Sequence, residues 1–83
     1  MAIDPIIEQV LQRMEVEIEE GDYRRIAGFT RNPEGNTYHH DHVRRVVWGE
    51  RSNDKILSIA IAYFKEKGWM KRRLEEHVNE LYP

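Results

Sequence analysis

The chain has 83 residues, no cysteine and a formal net charge of −2 at pH 7. This length allows one compact domain, residues 1–83. The lack of cysteine excludes disulfide bonds and thiolate zinc sites, and no apolar run approaches the roughly 18 residues that a membrane span needs. Because no signal peptide is recognisable either, the composition predicts a cytoplasmic protein without a membrane partner.

The small net charge conceals an uneven distribution along the chain. Residues 1–22 contain seven acidic residues and one arginine, whereas residues 23–51 contain six arginines and three acidic residues. Arginine suits phosphate and guanine because its planar guanidinium group donates two hydrogen bonds at once. The middle of the chain is therefore where we expect a polyanionic partner to bind.

Two helices are predicted in the first third of the chain. Residues 5–20 follow a capping Asp4 and carry an apolar stripe at helical spacing, and Gly21 is expected to end this helix. The stripe consists of Ile7, Leu11, Met14 and Ile18. Asp22 is then expected to cap a short second helix over residues 23–28.

An irregular stretch, residues 29–36, separates the second helix from the third. The third helix is expected to run to Trp48, and either Thr37 or His39 can cap it. A structural alternative arises because its inward face is β-branched and also permits a strand. That alternative is an α+β fold with a hairpin across residues 25–48, built on Val43, Val46 and Val47.

Two further helices are predicted in the last third, residues 53–66 and 69–82, with Gly68 between them. Ser52 or Asn53 can cap the first of these helices. Its broad apolar face predicts a central position in the fold, and this face consists of Ile56, Leu57, Ala60, Ile61 and Phe64. The last helix has an apolar stripe of Met70, Leu74, Val78 and Leu81. The sequence thus predicts an all-α domain of five helices.

Residues 22–64 resemble the lambda-repressor-like family (Cro/cI, xenobiotic-response-element type), with the helix-turn-helix motif itself at residues 22–49. The family pattern has an apolar residue, a polar cap, two exposed polar residues, a buried valine, an apolar pair, a glycine and a following basic residue. These places are taken by Tyr38, His39, His40, Asp41, Val43, Val46, Val47, Gly49 and Arg51. Residues 22–27 are similar to the first motif helix. The turn between the two helices is enlarged by about six residues relative to the tight turn that the family uses.

The resemblance implies sequence-specific binding of double-stranded DNA by a transcriptional regulator, expected to be a homodimeric repressor of a phage or other mobile element. The third helix would enter the major groove. The base contacts implied are His40, Asp41, Arg44 and Arg45. The phosphate contacts implied are Tyr23, Arg24, Arg25, Arg31, His39, Arg51 and Asn53. The last helix would supply the dimer interface, through Trp69, Met70, Leu81 and Tyr82. Asp22 would repel a phosphate bound beside it.

A second hypothesis comes from a different class of protein. The acidic residues 1–22 could engage a basic protein partner, as in a small protein-interaction or host-takeover inhibitor module. An enzyme is not expected, because cysteine is absent and neither Ser52 nor Ser58 has a histidine and carboxylate nearby in sequence. No catalytic residue, metal or cofactor is expected, since closely spaced histidines on one helix rarely converge on a metal.

Overall fold

The computed structural model describes residues 2–81, which fold into four helices with no strand in that range. Helix α1 spans Pro5–Met14, α2 spans Glu20–Gly28, α3 spans His40–Val47 and α4 spans Asp54–Leu81. The all-α prediction is confirmed. The hairpin considered for residues 25–48 is wrong, because α2 and α3 occupy the two places where its strands would lie. Among the described helices, none combines the length and apolar character that crossing a membrane requires.

The core lies where the four helices meet, and α4 contacts each of the other three. From α4, the core takes three fully buried side chains, Ile56, Ala60 and Phe64. Their burial agrees with the central position expected for this helix. The other helices contribute Ile7, Val10, Ile26, Ala27, Val43, Val46 and Val47. Burying a large aliphatic or aromatic side chain of this kind contributes about 1.5–3 kcal/mol, so the apolar stripes of all four helices hold the domain together.

Helix α1 ends six residues earlier than the sequence predicted. Glu15 adopts a left-handed conformation with φ 55°, and the backbone N–H of Val16 donates to the carbonyl of Leu11. On a continued helix Val16 would lie about 180° around the axis from Ile7 and would face solvent. Ending the helix at Met14 instead lets Val16 turn inward, where it is buried. The gain from burying Val16 explains the earlier stop.

Helix α2 also begins at a different residue from the one predicted. Its N-cap is Glu19 rather than Asp22, and Gly21 lies inside the helix instead of ending the previous one. The Asp22 carboxylate accepts a hydrogen bond from the backbone N–H of Glu19 (N–Oδ2 2.8 Å), which is the N3 half of a capping box. Asp22 therefore stabilises the start of α2 from three residues inside it.

Four helices are present rather than five, because Gly68 lies inside a continuous α4. A Cβ atom built on Gly68 would lie 2.5 Å from the Cβ of Met14, far inside van der Waals contact. The glycine is thus needed for the close approach of α1 and α4. From the sequence alone, a glycine with this role looks the same as a glycine that ends a helix. Just beyond this crossing, Lys71 and Arg72 donate hydrogen bonds to the carbonyls of Glu15 and Arg13 at the end of α1. The rest of α4 extends away from the body, and every residue from Trp69 to Leu81 is exposed.

Candidate nucleic-acid interface

The connection between α2 and α3 is closed by one buried side chain, that of Thr30. Its hydroxyl donates to the carbonyl of Ala27 (2.6 Å) and accepts from the backbone N–H of Tyr38 (3.1 Å). Because Thr30 and Tyr38 are held together, residues 31–37 leave and return at nearly the same point. We call this segment the 31–37 loop. The two helices are therefore joined as if by a short turn, and they pack against each other directly.

The 31–37 loop is also closed internally, by Asn32. Its Oδ1 accepts hydrogen bonds from the backbone N–H groups of Glu34 and Asn36, both at 3.0 Å. Its own backbone N–H donates to the carbonyl of Asn36 at 2.7 Å. Gly35 has φ +86°, a conformation that residues with a side chain rarely adopt. Asn32 and Gly35 thus give the stretch predicted to be irregular the form of a compact loop between α2 and α3.

Helix α3 begins at the cap predicted for it and exposes the predicted face. The Nδ1 atom of His39 accepts from the backbone N–H of Asp41 at 3.1 Å, so His39 rather than Thr37 is the N-cap. The inward face consists of the buried residues Val43, Val46 and Val47. Three of the four residues predicted to contact bases, Asp41, Arg44 and Arg45, lie away from these valines and are partly or fully exposed. The fourth, His40, is partly exposed in the first turn, about 20° around the axis from Val47.

An ion-pair network on this face escaped the sequence analysis. Arg44 donates through Nε and Nη2 to Oδ1 of Asp41 (3.2 and 2.9 Å), and Arg45 donates through Nε to Oδ2 (3.2 Å). Glu50 lies 3.8 Å from Arg44 (Oε2–Nη1). The hydrogen bonds from Arg44 lower the pKa of Asp41. The spacings of three and four residues from Asp41 were the available signal.

The arginines predicted to contact phosphate differ in whether other groups of the protein already bond them. Arg24 and Arg51 are exposed, and within residues 2–81 neither forms an ion pair. Arg31 donates through Nη1 to the carbonyls of Gly28 (3.2 Å) and Thr30 (2.6 Å), which fixes it at the base of the 31–37 loop. Arg24 and Arg51 are therefore the members of this set most available to an anionic partner.

Three other predicted phosphate contacts also serve the fold. The hydroxyl of Tyr23 accepts from Nε1 of Trp48 at 2.7 Å, which links α2 to the end of α3. Oδ1 of Asn53 accepts from the backbone N–H of Ile56 at 3.1 Å, the geometry of a cap for α4. His39 caps α3. These side chains place the helices, and any contact with a phosphate would use their remaining hydrogen-bonding capacity.

Arg25 lies on a different side of α2, toward α4. Its Nη1 is 3.6 Å from Oδ1 of Asp22. The nearby hydroxyl of Tyr63 is the main cause that raises the pKa of Arg25. Arg25 also lines a groove between α2 and α4. The structure thus places Arg25 with the α4 side chains and apart from the outer face of α3.

Asp22 is fully buried in a hydrogen-bond cluster that the sequence analysis did not identify. Besides the Glu19 N–H, its carboxylate accepts from the hydroxyl of Tyr63 (2.6 Å) and from Nζ of Lys67 (2.7 Å). Burial alone would raise the pKa of Asp22, but these hydrogen bonds outweigh it and lower the pKa. Lys67 neutralises the carboxylate, so the repulsion of a nearby phosphate expected from Asp22 is reduced.

The residues predicted to form a dimer interface lie on the projecting part of α4. Trp69, Met70 and Leu81 are each roughly half exposed, and Tyr82 lies outside the described residues. Successive residues of an α-helix are about 100° apart. Trp69 therefore faces a different direction from Met70 and Leu81, which belong to one stripe.

In comparisons with known proteins, no family model, no curated sequence and no solved structure matches this chain. Within residues 2–81, no group of three histidine, aspartate or glutamate side chains is arranged to hold a metal ion. The class that the fold and the geometry define is a small helical domain with two short, directly packed helices and a charged outer face on the second.

Proposed function

We propose that this protein binds double-stranded DNA with α3 as the recognition helix of a helix-turn-helix and that it regulates transcription, as a repressor of a phage or other mobile element. The observation that carries the proposal is the closure of the 31–37 loop by Thr30. An enlarged turn would separate the motif helices if it were open. With its ends held together, α2 and α3 contact each other directly, and this direct contact supports the proposal.

The dimensions of α3 suit this role. An α-helix with its side chains is about 10–12 Å across, which matches the width of the major groove, about 12 Å, and α3 has eight residues to lie in it. His40 and Asp41 lie in its first turn and Arg44 and Arg45 in the next, so the outer face offers both donors and acceptors to base edges. Arg24 on α2 and Arg51 after α3 are free to contact the phosphates on either side.

The network around Asp41 gives this surface a specific electrostatic character. The carboxylate of Asp41 holds two guanidinium groups and Glu50 lies beside Arg44, so these two acidic and two basic groups leave the face little excess charge when DNA is absent. Non-specific attraction to phosphate is then weak, and a matching base sequence must compete with Asp41 for the arginines. We expect modest affinity for random DNA and a clear gain on a cognate site, where a homodimer would span half-sites about 34 Å apart.

The test is the binding of a random-sequence duplex, followed by fluorescence anisotropy at several salt concentrations. Affinity is expected to fall with salt, with a log–log slope of about −0.9 for each phosphate that the protein neutralises. The double variant Arg44→Ala/Arg45→Ala should lose most of this binding. Arg13→Ala, which removes an exposed arginine of α1, is the matched control and should bind like the unmodified protein.

The same assay separates the competing hypothesis, a protein-interaction module that uses the acidic residues 1–22. Glu8→Gln and Glu20→Gln remove exposed carboxylates from α1 and α2. On the DNA-binding proposal they leave duplex binding unchanged or improve it. If no duplex binding is measurable at low salt, and these glutamates are instead needed to hold a basic protein, the DNA-binding proposal is wrong.

A further inference from the structure

A long groove runs along the domain between α4, the end of α2 and the segment that joins α1 to α2. We call it the α2–α4 groove. Its volume of about 1310 Å³ exceeds the roughly 300–1,000 Å³ that is typical of sites for small molecules. Its lining on α4 extends from Ile59 to Glu75, which is about 24 Å at 1.5 Å per residue. A helix of about four turns has the same length.

The lining of the α2–α4 groove is largely apolar and in part exposed to solvent. Phe29 is 68% exposed and Leu74 is 62% exposed, and Met70 lies between Leu74 and the body of the domain. Ile59 and Val16 complete the apolar lining. Exposed apolar side chains grouped in this way are typical of a surface that binds another molecule.

Four carboxylates along the α2–α4 groove form no ion pair within residues 2–81. They belong to exposed residues, Glu15 and Glu17 on one wall and Glu66 and Glu75 on α4. Carboxylates with no cation beside them leave a groove attractive to a basic ligand.

Three basic side chains in the described lining are already held by groups of the protein. Nζ of Lys67 lies 2.7 Å from the buried carboxylate of Asp22, and Arg25 lies 3.6 Å from the same carboxylate. Lys71 donates to the carbonyl of Glu15. Within residues 2–81, the lining and Asp22 together hold six acidic and three basic groups, a formal charge of −3. The excess charge that an incoming ligand meets is therefore negative.

We infer that the α2–α4 groove binds an amphipathic helix of a partner protein, which turns an apolar face toward the groove and carries lysine or arginine along its flanks. Apolar residues three and four positions apart on that helix would contact Phe29, Met70 and Leu74, as in other helix-in-groove complexes. The basic flanks would lie near the four unpaired carboxylates.

This site is separate from the surfaces considered above. The lining contains no residue of α3, so the inference goes beyond DNA binding and holds with or without it. It also differs from a basic partner held by residues 1–22 alone, because α4 supplies Glu66, Glu75 and most of the apolar lining.

The first experiment titrates the full chain, without DNA, with a synthetic peptide of leucine and lysine by isothermal titration calorimetry. The peptide has about 16 residues, the length of the groove at 1.5 Å per residue, and its leucines recur at helical spacing. Saturable binding of one peptide per chain is expected. A peptide with glutamate in place of lysine, and one with the same leucines and lysines out of helical spacing, should each bind at least tenfold more weakly. No binding of the first peptide, or equal binding of either control, would overturn the inference.

Two apolar variants locate the bound peptide. Phe29→Ala removes an exposed side chain from the lining and should weaken binding by about tenfold, as expected for one large apolar contact. Ile6→Ala removes a side chain that is 52% exposed on α1, outside the described lining, and should bind like the unmodified protein. A Phe29→Ala protein that binds unchanged would contradict the assignment.

Two double variants separate the groove from the acidic surface of residues 1–22. Glu66→Gln/Glu75→Gln should weaken peptide binding about two- to tenfold, the effect of losing two exposed ion pairs. Glu8→Gln/Glu20→Gln removes the same charge outside the described lining and should leave binding unchanged. The reverse pattern would place the peptide on the N-terminal surface and overturn the inference.

Sedimentation velocity of the protein alone tests a second copy as the occupant. If the chain forms a dimer that Phe29→Ala dissociates, another copy fills the groove and the inference of a partner helix is wrong. A dimer that Phe29→Ala leaves intact uses another surface, as the inference requires. Because the peptide is titrated without duplex, failure here is distinguishable from failure of the DNA-binding proposal.

Discussion

The hydroxyl oxygen of Thr30 accepts the backbone N–H of Tyr38 at 3.1 Å and so joins two residues that are eight positions apart in the sequence. The same hydroxyl donates to Ala27 at the end of α2. One buried side chain thus fastens the end of α2 to the residue just before the α3 cap. This contact makes a long connection behave as a short one, and the position of α3 depends on it.

Thr30→Val is expected to lower the free energy of unfolding by about 2 kcal/mol. Valine matches the shape of threonine but leaves buried or part-buried polar backbone groups without their partner. Urea denaturation measures the loss, and hydrogen exchange should show faster exchange of the Tyr38 amide. Thr30→Ser keeps the hydroxyl and should cost only about 0.8 kcal/mol for the missing methyl group. Equal losses in the two variants would show that the hydrogen bonds contribute little.

Asp41→Asn is expected to strengthen binding to random DNA. The change removes the carboxylate that holds Arg44 and Arg45, so both guanidinium groups become available to phosphates. The log–log salt slope should steepen by about 0.9 for each further phosphate that these arginines neutralise. Asp54→Asn changes the net charge equally at an exposed position at the start of α4 and serves as the control. If both variants bind more tightly to the same extent, net charge alone is responsible.

Gly68→Ala should destabilise the protein, although alanine favours helix over glycine by about 1 kcal/mol. The new Cβ would lie 2.5 Å from the Cβ of Met14, 2.8 Å from its Cγ and 2.9 Å from its Sδ, and overpacking of this kind costs about 1–3 kcal/mol. Thermal unfolding should show a lower midpoint. Gly28→Ala provides the comparison, because nothing lies within 4 Å of its Cβ position, and it should be neutral or stabilising.

Acid should weaken the fold partly through Asp22. Its folded-state pKa is lowered, so its contribution is fully present above the unfolded-chain pKa of about 3.9 and is lost as the pH falls through the folded-state pKa. Asp22→Asn is expected to cost about 3 kcal/mol at pH 7, because Lys67 loses its buried partner. The cost should shrink below pH 4. A cost that stays constant from pH 7 to pH 2 would contradict this role.

Much of the fold follows from local pattern. The spacing of Val43, Val46 and Val47 placed the inner face of α3 correctly, and the apolar positions of α4 placed that helix at the centre of the core. The ends of the helices were less predictable. The stop of α1 depends on the burial of Val16 in the folded domain, and the continuity of α4 depends on the fit of Gly68 against Met14. Neither tertiary contact leaves a local signal.

In the candidate site, too, some features follow from local sequence pattern and others depend on tertiary contacts. Most of its exposed face was predictable, since Asp41, Arg44 and Arg45 follow from helical periodicity once the valines are placed inward, whereas periodicity puts His40 on the side of Val43 and Val47. The pairing of both arginines with Asp41 could have been inferred from the spacing. The Thr30 contact could not, because it joins residues on either side of a turn and depends on the path of the 31–37 loop.

The most direct test of the proposed recognition helix is an amide NMR titration of the protein with a random-sequence duplex at low salt. The largest shift changes are expected at His40, Asp41, Arg44 and Arg45, with smaller changes at Arg24 and Arg51. Residues 74–81 of α4 should be unaffected. Changes confined to the acidic surface of residues 1–22, or no changes in α3 at saturating duplex, would contradict DNA binding through α3.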